Sequence, residues 1–147
     1  ECAWFIRMIM KTEDIIDDDN IVGCDSVASD SYDIQDKPEV LSPPPYVYLC
    51  MNRNFGDFGV YSTDMRAPFE FTNTGNESYS YDFQVNMMGK TYADVVLEFI
   101  PVRLPEDYTL ELQDSFTGKK LDITDGGKYE FRTYDNVRNF TIIIRSE

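Results

Sequence analysis

The chain has 147 residues, a formal net charge of −14 and no histidine. Nucleic acid and anionic membranes are excluded as partners, because so acidic a chain cannot neutralise a run of phosphates. The missing histidine removes the commonest general base, the commonest zinc ligand and any histidine-activated nucleophile. Hydrophobic residues make up 42%, enough for one packed domain over residues 1–147. No run approaches the roughly 18 apolar residues of a membrane span, so we expect no membrane insertion.

The pattern along the chain predicts short strands and turns throughout. Residues 3–12 alternate as a strand, and residues 13–45 form a long acidic loop that ends in three prolines, Pro43 to Pro45. Further strands are predicted at 46–52, 60–64, 69–72, 78–87, 91–100, 108–113, 121–124, 129–133 and 139–145, with Pro101 to Pro105 interrupting the pattern. No helical period persists for three turns. The sequence therefore predicts an all-β fold, an antiparallel β-sandwich of jelly-roll-like type with a long acidic N-terminal loop.

The acidic loop is the main candidate for chemistry. Residues 13–39 hold ten acidic residues and one basic residue, a net charge of −9. Calcium takes six to eight oxygen ligands in loose geometry, and carboxylates clustered without a cation repel one another. The spacing is not that of an EF-hand, because the glycine falls one position late and no glutamate is twelfth. The alternative is a solvated acidic loop or an acidic patch that binds a partner.

The other chemistry-bearing residues have a plain structural reading beside the functional one. Two carboxylates can hydrolyse glycosides, but one of them must lie in a dry pocket, and the acids here fall in turns and on outward strand faces, so no enzymatic activity is expected. Strand tyrosines, which can form either a sugar-stacking platform or core packing, are Tyr46, Tyr48, Tyr61, Tyr79 and Tyr81. Asn76 and Asn139 match the N-glycosylation pattern.

The cysteines and the terminal strands leave further alternatives open. Cys2, Cys24 and Cys50 are an odd number, so either one disulfide forms, with Cys24–Cys50 a candidate, or all three are buried thiols. The chain begins and ends on apolar strands. Such strands either pair within their own domain or are exchanged with a neighbouring subunit, and an exchange that does not close produces filaments.

Several segments, in order, resemble a module found near the C-termini of secreted bacterial multidomain proteins. They begin with Trp4 and its alternating apolar neighbours and continue through residues 17–23, 28–38, 46–49, 61–66, 104–118, 129–131 and 139–141. The resemblance spans nearly the whole chain and implies an extracellular β-sandwich of the kind that often precedes immunoglobulin-like or type IX sorting segments. Such modules generally have no enzymatic role. The three cysteines, and the lack of a sorting tail after Glu147, depart from the pattern.

The resemblance also selects the positions expected to bind calcium. The positions that match its acidic motif are Asp17, Asp19, Asn20, Asp33 and Asp36. Asp25 and Asp30 are the next candidates for calcium ligands. The expected function is a non-catalytic extracellular structural subunit. It would self-assemble into a filament or surface layer through β-strand contacts, with calcium as the stabilising ion. The alternative is a surface module that binds a glycan or a protein partner.

Overall fold

Two facing β-sheets make up the part of the chain that the computed structural model describes. That part comprises residues 4–13, 15–24, 46–51, 63–66, 78–88, 92–134 and 137–146, and for Asp19, Tyr46, residues 63–66 and Met88 it covers the backbone only. The strands are β1 (Trp4–Lys11), β2 (Ile16–Cys24), β3 (Tyr46–Met51), β4 (Thr63–Arg66), β5 (Ser78–Met88), β6 (Ala93–Val102), β7 (Tyr108–Asp114), β8 (Lys120–Asp122), β9 (Gly127–Thr133) and β10 (Val137–Ser146).

Each sheet has five strands. The first sheet has the order β4-β2-β1-β6-β9 and the second has the order β3-β5-β10-β7-β8. Neighbouring strands are antiparallel, except that β2 and β4 run parallel. The prediction of an antiparallel all-β sandwich is confirmed.

The core lies between the two sheets and follows the alternation of the sequence. On β1 the even-numbered side chains, from Trp4 to Met10, are fully buried, whereas Arg7 and Lys11 are exposed. Phe83 on β5 stacks on Phe140 of β10, with ring centroids 5.1 Å apart. Alternation works here because successive side chains of a strand point to opposite faces, and only one face meets the other sheet.

Both terminal strands occupy central positions. β1 lies between β2 and β6, and β10 lies between β5 and β7. Of the two readings of the terminal strands, the structure therefore has each paired within its own sheet. Among the described strands, β3, β4, β8 and β9 are the outermost strands of the two sheets.

Two sequence predictions need correction. The loop predicted over residues 13–45 is wrong near its start, because residues 16–24 form β2. This strand pairs with every residue of β1 except Ile9. The predicted break at Pro101 comes too early, because β6 continues to Val102. Proline has no backbone N–H to donate to a neighbouring strand. Pairing of β6 with β9 ends at Phe99, so at Pro101 the described neighbour is β1 alone and β9 requires no hydrogen bond from this residue.

The long acidic run folds as a strand because a bulge accommodates it. Met8 pairs with Asn20 and Met10 pairs with Asp17, so Ile9 alone faces both Asp18 and Asp19. A two-against-one bulge of this kind bends a strand without ending its ladder. In the described residues there is no helix long and apolar enough to cross a membrane.

Candidate functional site

The most prominent exposed feature is the edge of the first sheet formed by β9. In the described part of the chain β9 pairs with β6, and no strand lies on its other side. Lys128, Glu130 and Arg132 point outward and are exposed, whereas Tyr129 and Phe131 point inward and are half-buried against the core. An edge strand presents backbone N–H and C=O groups that can pair with another chain.

A charged and aromatic cluster, which we call the Tyr92–Tyr134 cluster, lies where β6 begins and β9 ends. It consists of Tyr92, Asp94, Arg132 and Tyr134. Arg132 donates two hydrogen bonds to the Asp94 carboxylate, Nε to Oδ1 at 2.6 Å and Nη2 to Oδ2 at 2.7 Å. Its guanidinium also lies 4.9 Å from the centre of the Tyr92 ring. The two tyrosine rings are 6.1 Å apart at 42°.

The charges of this cluster hold one another in their ionised forms. The hydrogen bond from Arg132 lowers the pKa of Asp94 below its usual value. The hydrogen bond to Asp94, together with Tyr134, raises the pKa of Arg132. Tyr92 is half exposed and Tyr134 is two-thirds exposed. Tyrosine and arginine side chains of this kind are enriched at the energetic centres of protein interfaces.

An open groove of about 340 Å³ lies beside the cluster, along β6 and β9. Its lining consists of Asp94, Val95, Val96, Glu130 and Phe131. The groove combines an apolar floor with two carboxylates at its rim.

Beneath the edge, a buried ion pair fixes β9 to the second sheet. Arg138 on β10 binds Asp114 on β7 through two hydrogen bonds, at 3.1 and 2.6 Å, and both side chains are almost fully buried. The hydroxyl of Tyr129 on β9 donates to the same carboxylate at 2.6 Å. The Arg138 guanidinium lies between the rings of Phe116 and Phe131, at 4.6 and 4.7 Å.

This network determines the charge of its members. Burial opposes ionisation of Asp114, but the bonds from Arg138, Tyr129 and the Phe116 amide outweigh it and lower the pKa of Asp114 to about 2. Burial, followed by the neighbouring Asp114 carboxylate, raises the pKa of Tyr129. A buried ion pair held by several hydrogen bonds restrains the residues that form it. The β9 edge is therefore a preorganised surface.

Of the acidic-segment residues expected to bind calcium, the structure describes the side chains of two, Asp17 and Asn20. Asp17 and Asn20 are buried at the β1–β2 bulge, where Asn20 Nδ2 donates to Asp17 Oδ1 at 2.8 Å. Asp17 Oδ2 accepts a hydrogen bond from the Leu49 amide on β3 at 3.0 Å, which joins the two sheets. Asn20 Oδ1 is buried and accepts no hydrogen bond. Asp17 and the Asn20 amide nitrogen therefore serve as hydrogen-bond partners for each other and for nearby backbone groups.

The remaining candidates do not join this pair within the described residues. Asp18, exposed on the same strand, forms an ion pair with Arg7 at 3.8 Å. Asp19 lies in β2, with only its backbone described, and Asp25, Asp30, Asp33 and Asp36 lie outside the described residues. No group of three or more acidic or cysteine side chains suited to a metal ion is found in the part of the chain that is described.

Of the five tyrosines considered for a sugar platform, two are core residues. Tyr48 and Tyr81 are buried, and the Tyr81 hydroxyl donates to the Gly23 carbonyl across the sandwich. Tyr79 is half-buried, the Tyr46 side chain is not described, and Tyr61 lies outside the described residues. Among the described residues the exposed aromatics are instead Tyr92, Phe116 and Tyr134. Strand periodicity alone did not select them, because they lie at strand ends and in a turn.

Two smaller predictions can be located in the structure. Cys24 and Cys50 are both buried, and no disulfide joins them; Cys50 Sγ accepts hydrogen bonds from Gln84 and Asn86 at 3.5 Å. Cys2 lies outside the described residues, as does Asn76. Asn139 is exposed on β10.

Comparison with known proteins adds no relative. No family model, no curated protein and no solved structure matches this chain.

Proposed function

We propose that this chain is a non-catalytic extracellular structural subunit that assembles with other copies through β-strand contacts, forming a filament or a surface layer. The observation that supports it is the β9 edge, a seven-residue strand with one neighbour among the described strands. Half-buried aromatics lie on its inner side and the exposed Tyr92–Tyr134 cluster lies at its end. Strand addition to such an edge supplies backbone hydrogen bonds, and the side chains supply selectivity.

Contact between edges is favoured over donation of the first strand. Donating β1 would withdraw four fully buried side chains, Trp4, Ile6, Met8 and Met10, from the core. Burying each such side chain stabilises the folded state by roughly 1.5–3 kcal/mol. An edge contact leaves the core of every subunit intact, so it needs no unfolding step.

Sedimentation velocity over a wide range of protein concentration tests this proposal. We expect the weight-average sedimentation coefficient to rise with concentration, because association of edges is a mass-action equilibrium. The proposal is contradicted if the sedimentation coefficient stays at the monomer value at the highest soluble concentration, both with and without calcium.

Calcium remains the proposed ion of the acidic segment, with Asp25, Asp30, Asp33 and Asp36 as its ligands together with Asp19. Asp17 and Asn20 are better explained as internal partners of the bulge. We expect Asp17→Ala to lower the free energy of unfolding by about 1–3 kcal/mol, because the Leu49 amide loses its buried acceptor.

Thermal unfolding with calcium and with a chelator separates these roles. Asp17→Ala should lower Tm by the same amount in both conditions, whereas Asp33→Ala should reduce only the calcium-dependent part. The exposed Asp18→Ala is the matched control. Equal Tm values for the unaltered protein with and without calcium would contradict the calcium proposal.

A second candidate function, a surface module that binds a glycan or a protein, is favoured by the Tyr92–Tyr134 cluster and its groove. Tyr92→Ala and Tyr134→Ala should abolish retention on a glycan array or on a partner surface. Ile16→Ala, which removes another exposed apolar side chain, should not. If the unaltered protein binds no glycan on the array, the result would count against a sugar ligand.

A further inference from the structure

We infer that β9 pairs antiparallel with β9 of a second copy, in the register that places Phe131 opposite Phe131. This inference rests on the proposed function and specifies the edge that forms one of its contacts, the one that joins subunits in pairs. It would join two five-stranded first sheets edge to edge across a two-fold axis, as an isologous contact.

The other edges of the described strands are less suited to this contact. β9 has seven residues, whereas β4 has four and β8 has three. β3 has six residues, but its Leu49 amide already donates to the Asp17 carboxylate. A backbone donor that is engaged inside the molecule is not available to pair with another chain. The longest edge is therefore the one offered to a partner.

Symmetry limits the registers that two β9 strands can adopt. A two-fold axis perpendicular to the sheet pairs residues whose numbers add to one fixed even value. Residues directly opposite in a sheet point to the same face. The outward row of one copy, Lys128, Glu130 and Arg132, therefore meets the outward row of the other, and the inward rows meet likewise. The choice among even registers depends on which side chains become neighbours.

The charges select the register centred on Phe131. There Glu130 lies opposite Arg132 of the second copy, and the same pair occurs twice by symmetry. Lys128 lies opposite Tyr134, which is two-thirds exposed in the single chain, so an ammonium can meet an aromatic ring. The register centred on Glu130 would place Glu130 opposite itself and Lys128 opposite Arg132. Like charges directly opposite destabilise a strand pair.

The register centred on Tyr129 is also less favourable. It pairs Lys128 with Glu130, but it leaves Arg132 opposite Gly126 and gives Tyr134 no partner. In the favoured register Arg132 keeps its two bonds to Asp94, and its guanidinium has further N–H donors for the second carboxylate.

The inward side chains favour the same register. Phe131 and Tyr129 are only half-buried where the sandwich ends. In the dimer the two Phe131 side chains would lie opposite each other, which is a stabilising aromatic cross-strand pair. Apolar surface at the end of each core would thereby be removed from water.

A charge-swap experiment tests this register. Glu130→Arg places two arginines opposite each other, and Arg132→Glu places two glutamates opposite each other. By sedimentation velocity we expect each variant alone to dissociate with a Kd at least about tenfold higher than that of the unaltered protein. An equimolar mixture of the two variants should restore the dimer, because every opposed pair is then one arginine and one glutamate.

Matched controls carry the same charge changes away from the edge. Glu106→Arg and Lys119→Glu alter exposed residues in turns and should leave the association unchanged. Circular dichroism of each variant verifies the fold. Restoration on mixing cannot result from loss of folding, which makes the mixture the decisive sample.

The outcomes separate this inference from the proposed function. If the unaltered protein associates, but the single variants associate equally well or the mixture is not restored, the β9 register is wrong and assembly by another contact stands. If the unaltered protein stays monomeric at every concentration, both the register and the proposed function are wrong.

Discussion

Arg138 and Asp114 form the one fully buried ion pair among the described residues. The Arg138 guanidinium binds the Asp114 carboxylate and contacts two aromatic rings. The Asp114 carboxylate also accepts a hydrogen bond from the Tyr129 hydroxyl. Removing one partner of such a pair leaves a charge buried without compensation. We expect Asp114→Asn to lower the free energy of unfolding by about 3 kcal/mol in urea titrations.

The exposed pair offers a matched control for this substitution. Asp94→Asn removes a carboxylate with equally short bonds to Arg132, but in water, where such pairs contribute little. Equal destabilisation by Asp94→Asn and Asp114→Asn would contradict the importance of burial at the Arg138 pair.

The low pKa of Asp114 predicts a loss of stability in acid. Its folded pKa is about 2, below the unfolded value near 3.9, so the unfolded state binds more protons in this window. The stabilisation is complete above about pH 5 and is lost as the pH falls through 4 towards 2, a change of about 2–3 kcal/mol. Urea titrations from pH 2 to 7 should show the unaltered protein and Asp114→Asn converging at the acid end; parallel curves would contradict this.

Part of this network can be predicted from the sequence. The predicted strands 108–113 and 139–145 stop just short of Asp114 and Arg138, but extending their alternation by one residue assigns both side chains to the inward rows of Leu112 and Phe140. Their opposite charges allow a pair. Which residues meet depends on the register of β7 against β10, where Phe140 faces Asp114. That register is set by contacts far apart in the sequence, so no local pattern contains it.

At the scale of elements, β2 shows why the acidic segment was predicted as a loop. Four consecutive polar residues, 17–20, break the alternation that indicates a strand. The bulge opposite Ile9 restores the alternation after two residues, and the buried Asn20 amide donates a hydrogen bond to the buried Asp17 carboxylate. The tertiary hydrogen bond from Leu49 to Asp17 is invisible to a local reading of the sequence.

Gly23 gives the sharpest test of how β1 and β2 pack. A Cβ at Gly23 would lie 2.7 Å from the Phe5 Cα and still closer to the Trp4 carbonyl oxygen. Backbone atoms cannot rotate away, so we expect Gly23→Ala to lower the free energy of unfolding by about 2 kcal/mol or more. Asp18→Ala, on the exposed face of the same strand, is the control and should change it by less than about 0.5 kcal/mol. If Gly23→Ala were as stable as the unaltered protein, the close approach of β1 and β2 at Gly23 would be contradicted.

Gly23 falls in the acidic segment that the sequence predicts as a loop. In the structure it lies in an extended strand, and its carbonyl accepts a hydrogen bond from Tyr81 on the opposite sheet. A residue without a side chain is required here because a neighbouring strand approaches closely, and not because the chain turns.

At the scale of the whole molecule, the strand pattern predicts the sandwich but not its edges. Strand number and alternation follow from hydrophobic periodicity, which is local. Sheet order depends on non-local pairing, so the sequence could not show that the terminal strands are central and that β9 is an edge. The exposed Tyr92–Tyr134 cluster follows from that order, because Tyr92 and Tyr134 come together through the pairing of β6 with β9.

Negative-stain electron microscopy of the concentrated protein tests the central claim most directly, because it shows whether subunits assemble in order. An isologous β9 contact alone closes at two copies, so a fibre or sheet also needs a second strand-edge contact that links the β9-joined pairs. We expect fibres or sheets with a regular repeat, which Glu130→Arg disrupts and the mixture with Arg132→Glu restores. Dispersed single particles at every concentration, with calcium and with a chelator, would contradict a structural subunit joined through its strand edges.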